Sequence, residues 1–146
     1  MKTFAARRGE KGFTLVELAI AVVIIGVLAA FGVPRYLASV ERARAAEAFT
    51  YLSTVSSAQE RYAARMSTYA KKVTDLDIEL TTPEFFKVGK VAVPKGSKSL
   101  ESGWEVTLTR SGKAAGYGAY TVVYNNTGYD AKKSSIPSEV NPRATN

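Results

Sequence analysis

Gly12-Phe13-Thr14-Leu15-Val16-Glu17-Leu18 opens a stretch that continues Ala19-Ile20-Ala21-Val22-Val23-Ile24-Ile25-Gly26-Val27-Leu28-Ala29-Ala30-Phe31-Gly32-Val33 and reaches Pro34. Sixteen residues from Leu18 to Val33 carry no polar side chain, and between Phe13 and Val33 only Thr14 and Glu17 interrupt the apolar run. A helix of that length spans roughly 31 Å, the thickness of the hydrocarbon core of a bilayer. Residues 1–12 upstream carry Lys2, Arg7, Arg8 and Lys11 against Glu10. Basic flanks stay on the cytoplasmic side, so the chain beyond Pro34 is expected to face outward. A cleaved secretory signal has a shorter apolar region, of about 7–15 residues, ending at a small-x-small site. Leu28-Ala29-Ala30-Phe31-Gly32-Val33 offers no clean Ala-x-Ala. Glu17 is also unexpected in a simple anchor, because a carboxylate near an apolar span is costly unless it is paired.

Those residues closely resemble the cleavage and assembly signature of type IV pilins and the related pseudopilins. In that family a basic leader ends in Gly, a membrane peptidase cuts after it, and the new N-terminal residue is N-methylated. The fifth residue of the processed chain is Glu, at the head of an apolar helix. The resemblance therefore implies cleavage between Gly12 and Phe13, N-methylation of Phe13, and Glu17 in the fifth place. It implies a helix kink or melting zone at Gly26, Gly32 and Pro34. A physical reason accompanies the pattern: after cleavage Phe13 carries an α-ammonium, and no side chain between residues 12 and 34 is basic. Glu17 is expected to pair with the Phe13 amine of an adjacent copy during filament assembly, since two charges are buried tolerably only as a pair.

Past Pro34 the pattern changes. Arg35 to Met66 lacks Gly and Pro and is rich in Ala, Glu and Arg, all strong helix formers. Leu37, Val40, Ala48, Phe49, Leu52, Val55, Ala58, Tyr62 and Met66 recur at steps that form one apolar stripe. Glu41, Arg42, Arg44, Glu47, Gln59, Glu60, Arg61 and Arg65 are assigned to the opposite, solvated face. Pro34 removes a helical hydrogen bond and predicts a kink.

Residues 67–146 hold most of the Gly and Pro and read as a loop followed by strands. Strands are predicted at 85–93, 104–110 and 117–125, the second with clean alternation of Trp104, Val106 and Leu108 against Glu105, Thr107 and Thr109. The expected fold class is α+β: a long N-terminal α-helix packed through its second half on a small antiparallel β-sheet. Trp104, Leu108, Val122, Phe49, Leu52 and Tyr62 form its core. The chain divides into a leader (1–12), a membrane and polymerisation helix (13–34), an amphipathic helix (35–66), and a loop and sheet head with a C-terminal tail (67–146). Pilins commonly close that tail with a disulfide, by the same resemblance. This chain has no Cys, so hydrogen bonds and packing of Tyr129 and Ile136, or neighbouring subunits, must hold residues 130–146.

Composition excludes much chemistry. With no His and no Cys there is no imidazole base, thiolate nucleophile or ordinary zinc site. No catalytic, cofactor or metal residues are expected, and Ser97 with Lys98 or Asp130 with Lys132 lack any supporting motif for an enzyme. Asp75, Asp77 and Glu79 lack the Gly and liganding run of a calcium loop. Asn125-Asn126-Thr127 matches a glycan acceptor. The net charge of +7 falls to +4 without residues 1–12, and a fibre repeating it would attract DNA non-specifically. The reading is a non-enzymatic pilus subunit, inserted in the inner membrane by a single pass and then polymerised into an extracellular helical filament for adhesion, twitching motility or DNA uptake. Its implied partners are further copies of itself, the prepilin peptidase and methyltransferase, and the inner-membrane assembly platform with its ATPase. A pseudopilin of a type II secretion system, or a minor competence pilin, is the alternative.

Overall fold

A computed structural model describes residues 12–112 and 116–144. The leader therefore lies outside the described residues up to Lys11. One helix, α1, runs Leu15–Met66. Four strands follow: β1 Phe86–Val88, β2 Glu105–Arg110, β3 Thr121–Asn125 and β4 Gly128–Tyr129. The strands pair antiparallel in chain order, with Leu108 opposite Val122 and Tyr124 opposite both Val106 and Tyr129. The α+β architecture is as expected. Two compact units meet between Tyr36 and Leu37 in the chain.

In the first unit the helix runs on through Gly26, Gly32 and Pro34, and its apolar side chains are exposed throughout. The second unit contains the head. Ala45, Ala48, Leu52, Val55 and Ala58 are fully buried along the remainder of α1, and the alanines let the sheet approach closely. Trp104, Val106, Leu108, Val122 and Tyr124 meet them from the sheet, with Phe49 alongside. Burying a Leu or Val side chain contributes about 1.5–3 kcal/mol, so this layer carries most of the head's stability. Tyr62 packs at its margin and is only partly buried, while Leu37 and Met66 of the predicted stripe are exposed.

The solvated-face assignment fails at two positions. Glu41 and Gln59 are completely buried. Gln59 is accommodated because its amide matches a backbone: Nε2 donates to the Ala70 carbonyl at 3.2 Å and Oε1 accepts from the Ala70 N–H at 2.8 Å. That pair pins the start of the loop that follows α1. The helix ends with Ser67 in the left-handed region at φ 57°.

The strands are shorter than predicted. The run 85–93 yields three residues, followed by a bridge from Ala92 to Glu105. At Gly89 the chain lies so close to β2 that an added Cβ would sit 2.7 Å from the Thr107 carbonyl oxygen. The run 117–125 forms a strand only from Thr121, and β4 was not anticipated. Asn125 starts the β3–β4 turn by accepting from Thr127 N and Thr127 Oγ1, and Gly128 takes φ +103°.

The tail closes against β3 without a covalent staple. Ser134 Oγ and Ser135 Oγ accept from the backbone N–H groups of Val123 and Thr121, both at 2.9 Å. Asp130 Oδ1 accepts from the N–H groups of Lys132 and Lys133. Tyr129 packs tilted against Phe49 with ring centres 5.0 Å apart, Ile136 packs on the core, and Val140 is fully buried. The expected hydrogen bonds and the expected packing are both present.

Candidate functional site

Every residue from Gly12 to Val33 is exposed, Phe13 by 91%. A helix with this composition is stable in lipid or against other apolar helices, not in water. At its start Thr14 is the N-cap and Glu17 the third helical residue. Glu17 N donates to Thr14 Oγ1 at 3.1 Å, and Glu17 Oε2 accepts from Thr14 N and Thr14 Oγ1, both at 2.8 Å. This is a reciprocal capping box, which satisfies two of the orphan donors at a helix start. The Thr-x-x-Glu spacing was visible in the sequence and the role of Thr14 was missed there.

The box uses one carboxylate oxygen. Glu17 Oε1 has no hydrogen-bond partner among the described residues, which leaves it open to a cation from outside this chain. Phe13 lies next to the box, with Gly12 immediately before it. An added Cβ at Gly26 or Gly32 would meet nothing within 4 Å, so within the chain these glycines present bare backbone to whatever surrounds the helix. Pro34 is helical.

A second polar centre lies in the head. Glu41 accepts from Arg110 Nε at 2.6 Å, Arg110 Nη2 at 3.1 Å, Tyr120 Oη at 2.8 Å and Arg44 Nη1 at 3.2 Å. Arg110 Nη1 donates to the carbonyls of Phe85 and Ser111, so each guanidinium nitrogen has a partner. Burial pushes the Glu41 carboxyl up, but the bonds from Arg110 and Tyr120 and the Arg110 charge outweigh it and hold it below its ordinary value. The cluster ties α1, the segment before β1, β2 and the start of β3 together. From the sequence, Glu41 and Arg44 were assigned to the solvated face of the helix and the cluster was not foreseen.

The remaining candidates have structural partners. Asp77 is held by Arg61 at 2.9 Å and Arg65 at 3.4 Å, which fastens the loop after α1 to the helix. Asp130 caps the tail turn and also accepts from Asn125 Nδ2 at 3.2 Å. Both ends of the Asn125 amide are thus engaged, Nδ2 by Asp130 and Oδ1 by Thr127. Ser97 N donates to the Pro94 carbonyl in a local turn. Tyr124 is buried against Phe49 and Tyr129 as a packing group.

Residues 7–33 match the family described as the prokaryotic N-terminal methylation motif. The chain is 34% identical over 107 residues to a type IV major fimbrial protein FimA of Dichelobacter nodosus, covering 73% of this chain and 62% of that protein. It is 54% identical over 41 residues to a fimbrial protein of Moraxella nonliquefaciens, 28% of this chain and 27% of the other. It is also 36% identical over 76 residues to the type II secretion system core protein G of Vibrio cholerae, 52% of each. In each case the chain spans less than two thirds of the relative's own length. No solved structure gives a significant match.

Proposed function

The chain belongs to the type IV pilin superfamily, and from that premise we propose that it is the repeating subunit of a type IV pilus. The observation that carries this reading is the start of α1, where a capped Glu17 with one free carboxylate oxygen heads a fully exposed apolar helix. Prepilin peptidase cuts between Gly12 and Phe13, and Phe13 is methylated. The new α-ammonium of one copy then meets Glu17 Oε1 of the next. The pair forms only when the helices stack in one register, so it selects that register as each subunit leaves the bilayer. The energy for extraction comes from the assembly platform and its ATPase, and the chain itself does no catalysis.

The precursor spans the inner membrane once with its leader in the cytoplasm, and the polymer stands outside the cell. In the fibre Gly26, Gly32 and Pro34 form a stretch of helix that loosens under load, because two glycines and a proline weaken it locally. Adhesion, twitching motility and DNA uptake all use such a fibre, and its repeated positive charge suits non-specific contact with DNA. A second reading, the pseudopilin of a type II secretion system, is favoured by the similarity to the Vibrio core protein G.

Replacing Glu17→Ala tests the proposal. Surface fibres should disappear while the mass of the chain still shows cleavage and methylation at Phe13. Unchanged fibre number in a correctly processed variant would refute the register role. Long surface fibres support the pilus reading, whereas loss of exoprotein release on deletion, without any fibre, supports the pseudopilin.

A further inference from the structure

Beside the loop that follows α1, the head contains a half-open apolar cavity of about 610 Å³, within the range of small-molecule sites. Val73, Ile78, Leu80 and Val88 line it. Its charged lining residues are Lys71, Lys72 and Lys90, all exposed, and no acidic residue lines it among those described. None of the three lysines forms an ion pair among the described residues. The cavity also receives Tyr51, which is 6% exposed and whose hydroxyl hydrogen-bonds to none of the described residues. Burial raises the Tyr51 phenol above its ordinary value, so it enters the cavity as a donor.

The walls are fixed in advance. Gln59 holds Ala70 at one end of the loop, Arg61 and Arg65 hold Asp77 in its middle, and Glu47 Oε1 accepts from Glu84 N beyond it. Across the cavity Gly89 is locked to Thr107 by a 2.9 Å backbone bond. These contacts tie the loop and the Gly89 segment that bound the space to the rest of the head. An apolar pocket that carries three lysines unpaired among the described residues and a phenol in its wall complements an apolar chain ending in an anion. We propose that this cavity binds a long-chain acyl carboxylate, its chain against Val73, Ile78, Leu80 and Val88 and its head group at Lys71, Lys72, Lys90 and the Tyr51 hydroxyl. The proposal does not depend on the chain forming a fibre.

A photoreactive hexadecanoate carrying a diazirine and an alkyne tests this on the full chain in its own membrane, with its methyl ester as the uncharged control. The acid should label peptides spanning residues 71–91, and the ester should label them far less. The combined Lys71→Gln, Lys72→Gln, Lys90→Gln variant should lose about tenfold of that labelling, equivalent to about 1.4 kcal/mol. Lys95→Gln with Lys98→Gln, outside the cavity, should not change it. Tyr51→Phe removes only the hydroxyl and should weaken labelling about threefold. Unchanged protease resistance of the head confirms that the variants fold. Label confined to residues 13–36, or equal labelling by the ester, overturns the proposal. So does protection of the three lysines from acetylation in assembled fibres without acyl labelling, which would assign the groove to a neighbouring copy.

Discussion

Glu41 and Arg110, 69 residues apart in the chain, meet as a doubly hydrogen-bonded ion pair with both side chains 1% exposed. Tyr120 and Arg44 complete the carboxylate's shell, and the Phe85 carbonyl takes part of the guanidinium. A buried charge with this many partners is tolerable, and one left alone is not.

Removing either member should therefore be severe. Glu41→Met or Arg110→Met is expected to cost about 3–5 kcal/mol, and the double variant should cost less than the sum because neither charge is left behind. Denaturant unfolding followed through Trp104, the single tryptophan and fully buried, reads all three.

The same pair sets the acid response. The Glu41 value lies below the ordinary one in the folded chain, so its contribution is complete above the ordinary carboxylate range and is lost as pH falls through the folded value. Stability of the head should hold from neutral pH into mild acid and then drop. Glu41→Gln should start lower and show a shallower acid slope, and an equally steep slope would exclude Glu41 as its source.

Thr14 holds the first turn. Thr14→Val removes the hydroxyl that accepts from Glu17 N and donates to Glu17 Oε2. Hydrogen exchange at Glu17 and Leu18, whose N–H groups Thr14 holds, should quicken about fivefold, in line with the loss of a helix cap. Exchange in the head should be unaffected.

Gly89 has no room for a side chain. Gly89→Ala would drive a methyl into the Thr107 carbonyl, and overpacking of this kind costs about 1–3 kcal/mol. A lowered melting temperature with weakened β1–β2 exchange protection is the expected result.

The tail is fastened at Asp130. Asp130→Ala releases the Lys132 and Lys133 N–H groups and the Asn125 amide, so limited proteolysis should cut within residues 131–144 while the sheet survives.

Much of the head could be read from local pattern. The stripe through Ala48, Leu52, Val55 and Ala58 and the alternation of Trp104, Val106 and Leu108 are periodic signals, and all seven residues are buried. Glu41 escaped because a carboxylate on a helix surface looks solvated until its distant partner is known. A signal did exist: the alternation that turns Val106 and Leu108 inward also turns Arg110 inward, and a buried guanidinium requires a carboxylate. Gln59 gave no such hint, since its partner is a backbone whose path depends on the loop. Strand ends were over-read at Gly89 and before Thr121, where contact with the neighbouring strand, rather than residue preference, decides pairing. At the apolar helix the motif itself was plain, yet Thr14 was overlooked beside the more conspicuous Glu17.

The head's last lock is made of two serine hydroxyls and one aspartate. Such a fastening forms without any thiol oxidase and is indifferent to reductants such as dithiothreitol. Heat would open it and cooling would close it again, so the tail folds and refolds by equilibrium alone.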